Sequence, residues 1–105
     1  MPTSRIRAVI LQQADWWVAQ CLEYNYVALA KRLEDLPAEL ERAITAQIII
    51  SLEHGIEPFH GYKPAPRRYW EMYERAETRV EVDRTIDLPA NLLQAHPVIE
   101  ARLAA

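Results

Sequence analysis

Residues 5–44 read RIRAVILQQADWWVAQCLEYNYVALAKRLEDLPAELERAI and contain no glycine. At the start of this stretch, over 5–11, branched apolar residues alternate, and this period of two predicts a β-strand. Ala14 and Asp15 then offer a turn, and WWVAQCL over 16–22 resumes with aromatic and branched side chains that are typical of a strand. The sequence therefore predicts a β-hairpin with Asp15 in its turn.

The period of the apolar residues changes near Arg32. Before it, YVALAK over 26–31 predicts a third strand, although its alanines and leucine suit a helix almost as well. After it, apolar residues recur every three or four positions, which places them on one stripe of an α-helix. They are Leu33, Leu36, Leu40, Ile44, Ile48 and Leu52. We predict a helix over 36–54, with Asp35 as its N-terminal cap and Gly55 in a left-handed conformation at its end.

The remaining residues alternate between loop signals and short periodic segments. Both glycines and three of the seven prolines lie within 55–66, which predicts a loop or insertion. PRRYWEMYERA, starting at Pro66, carries apolar residues on one helical face and predicts a second helix. TRVEVDRTI over 78–86 alternates and predicts a strand. Residues 88–105 are expected to form a C-terminal helix or arm that Pro97 breaks.

The predicted element order places the chain in the α+β class. Three consecutive strands followed by a helix favour an antiparallel meander with helix 36–54 packed on one face. The loop, the second helix and a last strand complete a sheet of about four strands, in the order β-β-β-α-[loop-α]-β. At 105 residues, the chain is expected to form a single domain over 1–105.

Composition and charge exclude several classes of protein. Half of the residues are apolar and 26% are charged, which is typical of a folded globular chain. The only cysteine is Cys21, so no internal disulfide can form, and this suits a reducing cytoplasm. The sequence has no apolar run near the 20 residues that span a bilayer and no pattern of a signal peptide. We therefore expect a soluble, cytoplasmic protein that does not associate with membranes.

The residues give little support to an enzyme or a metal site. His54, Glu57 and His60 lie close together in sequence, but they lack a recognised zinc spacing. Cys21 alternates with apolar neighbours, which is typical of a buried, inert thiol. No base is placed beside a serine, and no glycine-rich phosphate loop is present. We predict a protein that is not an enzyme and that needs no metal and no cofactor.

The two adjacent tryptophans point to a second surface. Side chains of neighbouring strand residues face opposite sides of a sheet, so both indole rings cannot enter one core. Either the second helix or the C-terminal segment covers the outward ring, or a partner does. The candidate partner-binding residues are Trp16, Trp17, Tyr24 and Tyr26.

The segment 62–79 offers a nucleic-acid interface as an alternative. Its stretch YKPAPRRYW combines basic and aromatic residues, which could contact phosphates and stack on RNA bases. The net charge of −3 and the acids within the same predicted helix argue against this function. The candidate residues for it are Lys63, Arg67, Arg68, Tyr69 and Trp70.

Residues 5–54 resemble the first module of HicB-type antitoxins. The matching pieces are Asp15 in a turn, WVAQC over 17–21 in the second strand, and LEDLPAEL over 33–40 at the start of the helix. The resemblance implies an α+β fold and a protein that neutralises a small RNA-cleaving toxin by covering its surface. We carry over only this covering role, because too few residues follow Ile86 for a helix-turn-helix.

The function expected from the sequence is a small non-catalytic protein-interaction module that resembles a HicB antitoxin without its DNA-binding segment. Its expected partners are a second copy of itself, because short strands leave sheet edges to cover, and a small toxin-like protein. An RNA-binding protein that uses segment 62–79 is the alternative.

Overall fold

A computed structural model of the chain describes residues 5–82 and 98–104. Its strands are β1 (Arg5–Gln13), β2 (Trp16–Cys21), β3 (Val27–Ala30), β4 (Thr78–Val80) and β5 (Val98–Leu103), and its helices are α1 (Leu36–Glu53) and α2 (Arg67–Arg75). A single 3₁₀ turn over Leu33–Asp35 precedes α1. The predicted α+β class is confirmed, with one long and one short helix.

The five described strands form one sheet in the order β3-β2-β1-β5-β4. The β1–β2, β2–β3 and β4–β5 pairs are antiparallel, whereas β1 and β5 run parallel. The expected sheet of about four antiparallel strands therefore needs correction: this sheet is mixed and has five strands among the described residues. The predicted strand over 78–86 is a strand only at Thr78–Val80 among its described residues, and residues 83–97 lie outside the described part of the chain.

The fifth strand lies where a C-terminal helix or arm was expected over 88–105. Ile99, Ala101 and Leu103 alternate with polar residues, which is the period of a strand. These three side chains lie beside Ile6, Ala8 and Ile10 of β1 and extend its apolar face. Pairing with the central strand β1 therefore fixes the conformation of a segment that is distant from it in sequence.

The predicted hairpin is confirmed. Ala14 and Asp15 form the two-residue connection between β1 and β2, and Ala14 has a φ of 53°. A positive φ at the first turn position matches the twist of the two strands, which a common turn with negative φ would not. Asp15 thus lies in the turn, as its sequence position predicted.

Helix α1 packs across the first face of the sheet. Leu36, Leu40, Ile44 and Ile48 are buried, as the helical stripe predicted, but Leu52 at the end of the stripe is 38% exposed. Asp35 is the cap residue, although its side chain makes no capping hydrogen bond. Gly55 ends the helix with a φ of 67°, as predicted.

The two faces of the sheet have separate cores. On the first face, α1 and Phe59 cover the inward residues of β1, β2 and β3. On the second face, Val9 of β1 packs with Leu22, which follows β2, and with Tyr73 of α2. Arg102 of β5 donates hydrogen bonds to the carbonyl oxygens of Tyr73 (3.2 Å) and Ala76 (3.4 Å) and so fixes the end of α2. Helix α2 therefore lies over β1 and β5.

The predicted loop 55–66 is held against the connection between β2 and β3 by backbone hydrogen bonds. The Asn25 amide donates to the Lys63 carbonyl at 2.6 Å, and the Ala65 amide donates to the Leu22 carbonyl at 2.9 Å. Phe59, buried in this loop, has a φ of 62°, which is uncommon for a residue with a side chain. Burial of its ring favours this backbone conformation.

Neither helix within residues 5–82 and 98–104 is long and apolar enough to cross a membrane.

Candidate interaction surface

Part of the second face of the sheet is not covered by α2. On this face, Trp16 of β2 and Val27 and Leu29 of β3 are 40%, 42% and 49% exposed. They share the face because β2 and β3 pair in the register Val18↔Leu29, and alternate strand residues point to the same side. Val18 and Gln20 of β2 point to the same face but are buried. We call the exposed surface formed by Trp16, Val27 and Leu29 the bare half.

The inward-facing residues of β3 explain why its large side chains lie outside. Ala28 and Ala30 face α1 and are buried in the first core. Small side chains at these two positions let α1 approach the strand closely. The larger Val27 and Leu29 alternate with them and therefore point to the second face, where α2 does not reach them.

A lysine lies over the exposed tryptophan. The Lys31 ammonium is 4.1 Å from the centroid of the Trp16 ring. Continuing the β2–β3 register places Lys31 opposite Trp16, so both side chains leave the same face of the sheet. The contact is a cation–π interaction, and it holds a positive charge at one end of the bare half.

Among the described strands, β3 is also an edge of the sheet, with a neighbour on one side only. The Cys21 amide donates to the Tyr26 carbonyl at 2.9 Å, which shows that Tyr26 directs its backbone toward β2. Backbone groups alternate in direction along a strand, so Ala28 and Ala30 also face β2. Val27 and Leu29 consequently direct their amide and carbonyl groups outward, along the edge.

A shallow groove lies between this edge and the start of α1. It is lined by Leu29, Ala30, Lys31, Glu34, Asp35, Ala38, Glu39 and Arg42. Two ion pairs neutralise most of its charges: Arg32 with Glu34, and Arg42 with Glu39. A backbone hydrogen bond and the neighbouring Arg32 guanidinium lower the pKa of Glu34. The groove therefore presents paired charges beside an uncharged strand.

The structure places the four predicted partner-binding residues in different environments. Trp16 and Trp17 lie on opposite faces, as expected: Trp16 is in the bare half, and Trp17 packs against the first core. Tyr24 stacks on Phe59 with ring centroids 4.4 Å apart, and Tyr26 meets the same ring edge-on at 5.9 Å. The two tyrosines thus hold the loop 55–66, and only Trp16 of the four belongs to the bare half.

The predicted nucleic-acid residues lie on or next to α2, but their aromatic rings are engaged. Tyr69 and Trp70 are half-buried and pack against the second core. The Trp70 indole donates to the Ala65 carbonyl at 3.2 Å. Arg68 lies 4.6 Å from the Tyr69 ring centroid, and Arg7 lies 4.8 Å from that of Trp70.

The charged members of that set are exposed, before or at the start of α2. Lys63, Arg67 and Arg68 all lie at the surface. Arg67 is 3.7 Å from Glu71, one helical turn later. The basic side chains therefore point to solvent, while the rings beside them point to the sheet.

The residues considered for metal binding do not form a metal-binding group in the described chain. Cys21 is buried, and burial raises the pKa of its thiol to about 12. His54 is exposed, with its Nδ1 atom 2.9 Å from the Ile50 carbonyl oxygen. Across residues 5–82 and 98–104, no group of three or more His, Cys, Asp or Glu side chains could hold a metal ion.

A second group of exposed apolar side chains lies at the end of α1. Ile50, Leu52 and Ile56 are 54%, 38% and 48% exposed. Ile50 and Ile56 line a groove with His54 and His60. This group has no open strand beside it, since the backbone there forms the end of a helix. It offers an apolar contact but no row of outward backbone groups.

Sequence reasoning missed Val27, Leu29 and Lys31 as surface residues. The signal was present in YVALAK, where large residues alternate with alanines. In a strand that packs under a helix, the alanines are the residues that fit beneath it, so the large residues must face the other side. Which part of that other side α2 covers was not visible in the sequence.

Comparison of the chain with protein-family models, with curated proteins and with solved structures gave no match.

Proposed function

We propose that this chain is a small non-catalytic module that binds a protein partner through the bare half and the adjacent edge of β3. The observation that carries the proposal is the exposure of Trp16, Val27 and Leu29 on one face, directly beside outward backbone groups. An exposed strand edge that carries apolar side chains is a template for pairing with another chain. Tryptophan is also enriched among the residues that contribute most to binding free energy.

The resemblance to HicB-type antitoxins supplies a candidate class of partner, a small toxin-like protein. Asp15 lies in the β1–β2 turn, WVAQC over 17–21 lies in β2, and LEDLPAEL over 33–40 spans the 3₁₀ turn and the start of α1. The groove beside β3 is lined by part of this last segment. The proposal covers the binding of a partner, and not the binding of an operator.

Two further features support a non-catalytic role in a reducing compartment. The Cys21 thiol is buried and its pKa is raised, so it is a poor nucleophile. A buried free thiol is stable in the cytoplasm, where we place the protein. His54, at the C-terminal end of α1, has its Nδ1 atom 2.9 Å from the Ile50 carbonyl oxygen one turn earlier, which is a structural contact.

A second copy of the chain is the second candidate for the same surface. Residues 27–30 carry no charged side chain, so two β3 strands could pair antiparallel around a two-fold axis without repulsion between like charges. RNA binding through segment 62–79 has less support, because Tyr69 and Trp70 pack against the sheet.

Co-expression with the products of the reading frames that flank its gene tests the proposed function. We expect one small flanking protein to co-purify with the tagged chain and to be lost in the variant Leu29→Lys. The matched control is Ile56→Lys, which places the same charge on an equally exposed apolar side chain at the end of α1. If Ile56→Lys abolished co-purification and Leu29→Lys did not, the binding surface would not be at β3.

A further inference from the structure

We propose that the partner contributes an extended segment that adds to β3 as an antiparallel strand, with the pattern acidic-x-apolar-x-apolar. This inference rests on the proposed function and specifies the form of its partner. Three features of the β3 end of the sheet support it: the direction of its backbone groups, the size of the exposed patch, and the charge at one end of the bare half.

The backbone of β3 defines where the added strand binds. Val27 and Leu29 direct their amide and carbonyl groups to the open edge, since Ala28 and Ala30 direct theirs to β2, and Lys31 follows directly after the strand. The strands at this end already pair antiparallel, and an antiparallel pair is slightly more stable per residue than a parallel one. Side chains opposite Val27, Leu29 and Lys31 would then lie on the bare half.

The size of the patch favours a short segment over a folded surface. Trp16, Val27 and Leu29 are less than half exposed, so the area that these three residues present is well below that of a full protein–protein interface. A stable interface between folded proteins buries about 800 Å² on each partner. Main-chain hydrogen bonds to an edge strand supply affinity without requiring such an area.

The charge on the bare half selects an acidic residue. Lys31 is held over Trp16, and within residues 5–82 and 98–104 no carboxylate forms an ion pair with it. The neighbouring Arg32 is paired with Glu34. A carboxylate on the incoming strand, opposite Lys31, would complete an ion pair next to the indole ring.

A second copy of β3 does not supply this carboxylate. An antiparallel pairing centred on Ala28 would place Asn25 of the second copy opposite Lys31, and one centred on Leu29 would place Val27 there. Neither residue is acidic. A pairing centred on Val27 would place Glu23 there, but that carboxylate already accepts hydrogen bonds from the Arg7 amide and guanidinium. We therefore assign the partner strand to another protein, in which an acid precedes two apolar residues at alternate positions.

Selection from a random library of ten-residue peptides displayed on phage tests this inference with the full chain as bait. We expect enriched peptides to share the acidic-x-apolar-x-apolar pattern. As synthetic peptides, they should bind Leu29→Lys at least about tenfold more weakly than the unchanged chain, because the new lysine disrupts the apolar contact at the edge. They should bind Ile56→Lys with unchanged affinity. Selection on Lys31→Glu should enrich a basic residue at the acidic position.

Three results would overturn the inference. The first is no enrichment over an unrelated bait, and the second is binding that Leu29→Lys leaves unchanged. The third is a chain that is already dimeric at micromolar concentration and becomes monomeric in Leu29→Lys, which would assign the edge to a second copy. If a flanking protein still binds in a Leu29-dependent manner while no peptide is enriched, the proposed function holds and the partner uses a folded surface.

Discussion

The two halves of the second sheet face differ in what covers them. Over β1 and β5, helix α2 buries Val9 and Tyr73, and Arg102 fixes the end of the helix. Over β2 and β3, Trp16 and Leu29 remain exposed. A single sheet face thus has one half stabilised by α2 and one half on which Trp16, Val27 and Leu29 are exposed.

The two edges of the sheet show the same contrast. Strand β4 is only three residues long and contains Arg79, with Glu77 and Glu81 on either side. Short, charged edges are a common device against unwanted strand pairing. Residues 27–30 of β3 carry no charge. The absence of charge within β3, although Lys31 follows it directly, is consistent with the proposed pairing at this edge.

The largest expected effect is a difference in stability between a leucine-to-alanine substitution under α2 and one in the bare half. Leu22→Ala removes a fully buried side chain under α2 and should lower the free energy of unfolding by about 2–5 kcal/mol. Leu29→Ala removes a side chain that is half exposed and should cost less than about 1 kcal/mol. Urea denaturation of both variants measures the difference. Equal costs would mean that the bare half is covered.

The second expected effect is a difference in reactivity between a thiol in the first core and a thiol on the second face of the sheet. Burial raises the pKa of Cys21 to about 12, so its reaction with a disulfide reagent at pH 8 should be on the order of 100-fold slower in the folded than in the unfolded chain. A thiol introduced as Val27→Cys, in a Cys21→Ala background, should react at nearly the unfolded rate. Fast reaction of native Cys21 would contradict its position in the first core.

The same thiol predicts a loss of stability at alkaline pH. Its pKa in the folded chain lies above the ordinary value of 9.0, so its contribution to stability is complete below about pH 9. That contribution falls as the pH rises from 9 toward 12, because the unfolded chain loses the proton first. The variant Cys21→Ala should show a smaller decline over this range in a pH series of urea midpoints.

A smaller effect concerns the arginine that fixes α2. Arg102→Gln removes charge-assisted hydrogen bonds to the Tyr73 and Ala76 carbonyls and should cost about 1–2 kcal/mol. Arg68→Gln, on the exposed side of the same helix, is the control and should cost less than about 0.5 kcal/mol. Thermal unfolding of the two variants compares them. A larger cost for Arg68→Gln would show that α2 is held in another way.

The smallest expected effect is on the binding of single-stranded RNA. Because Tyr69 and Trp70 pack against the sheet, we expect no submicromolar binding of a mixed-sequence single-stranded RNA at low salt. The double variant Arg67→Ala, Arg68→Ala should keep its melting temperature. Tight binding that falls steeply with salt and disappears in this variant would instead support the RNA-binding alternative.

The sequence predicted the local elements well because their signals lie within each element. The period of two before Gln12 and the helical stripe from Leu36 to Ile48 each report directly on one buried face. The left-handed Gly55 follows from its lack of a side chain. These features depend on neighbours that are close in sequence.

Features that depend on residues distant in sequence were not predicted, because no local pattern reports on them. Residues 98–103 become a strand because β1 lies beside them in space, about 90 residues earlier in the chain. Tyr24 and Tyr26 looked like surface residues until Phe59 of the distant loop was seen to stack against them. Glu41 of α1 is buried, although the helical stripe placed only apolar residues inside. Each of these three features depends on which distant segment of the chain packs beside the residue.

Amide hydrogen exchange along β3 tests the central claim, that this edge is open. We expect the Val27 and Leu29 amides to exchange about tenfold or more faster than those of Ala28 and Ala30, because only the latter face β2. The comparison is internal to one strand and needs no partner. An alternating pattern of this kind in dilute solution is the predicted result. Equal and strong protection of all four amides would show that the edge is already paired, which would contradict the account.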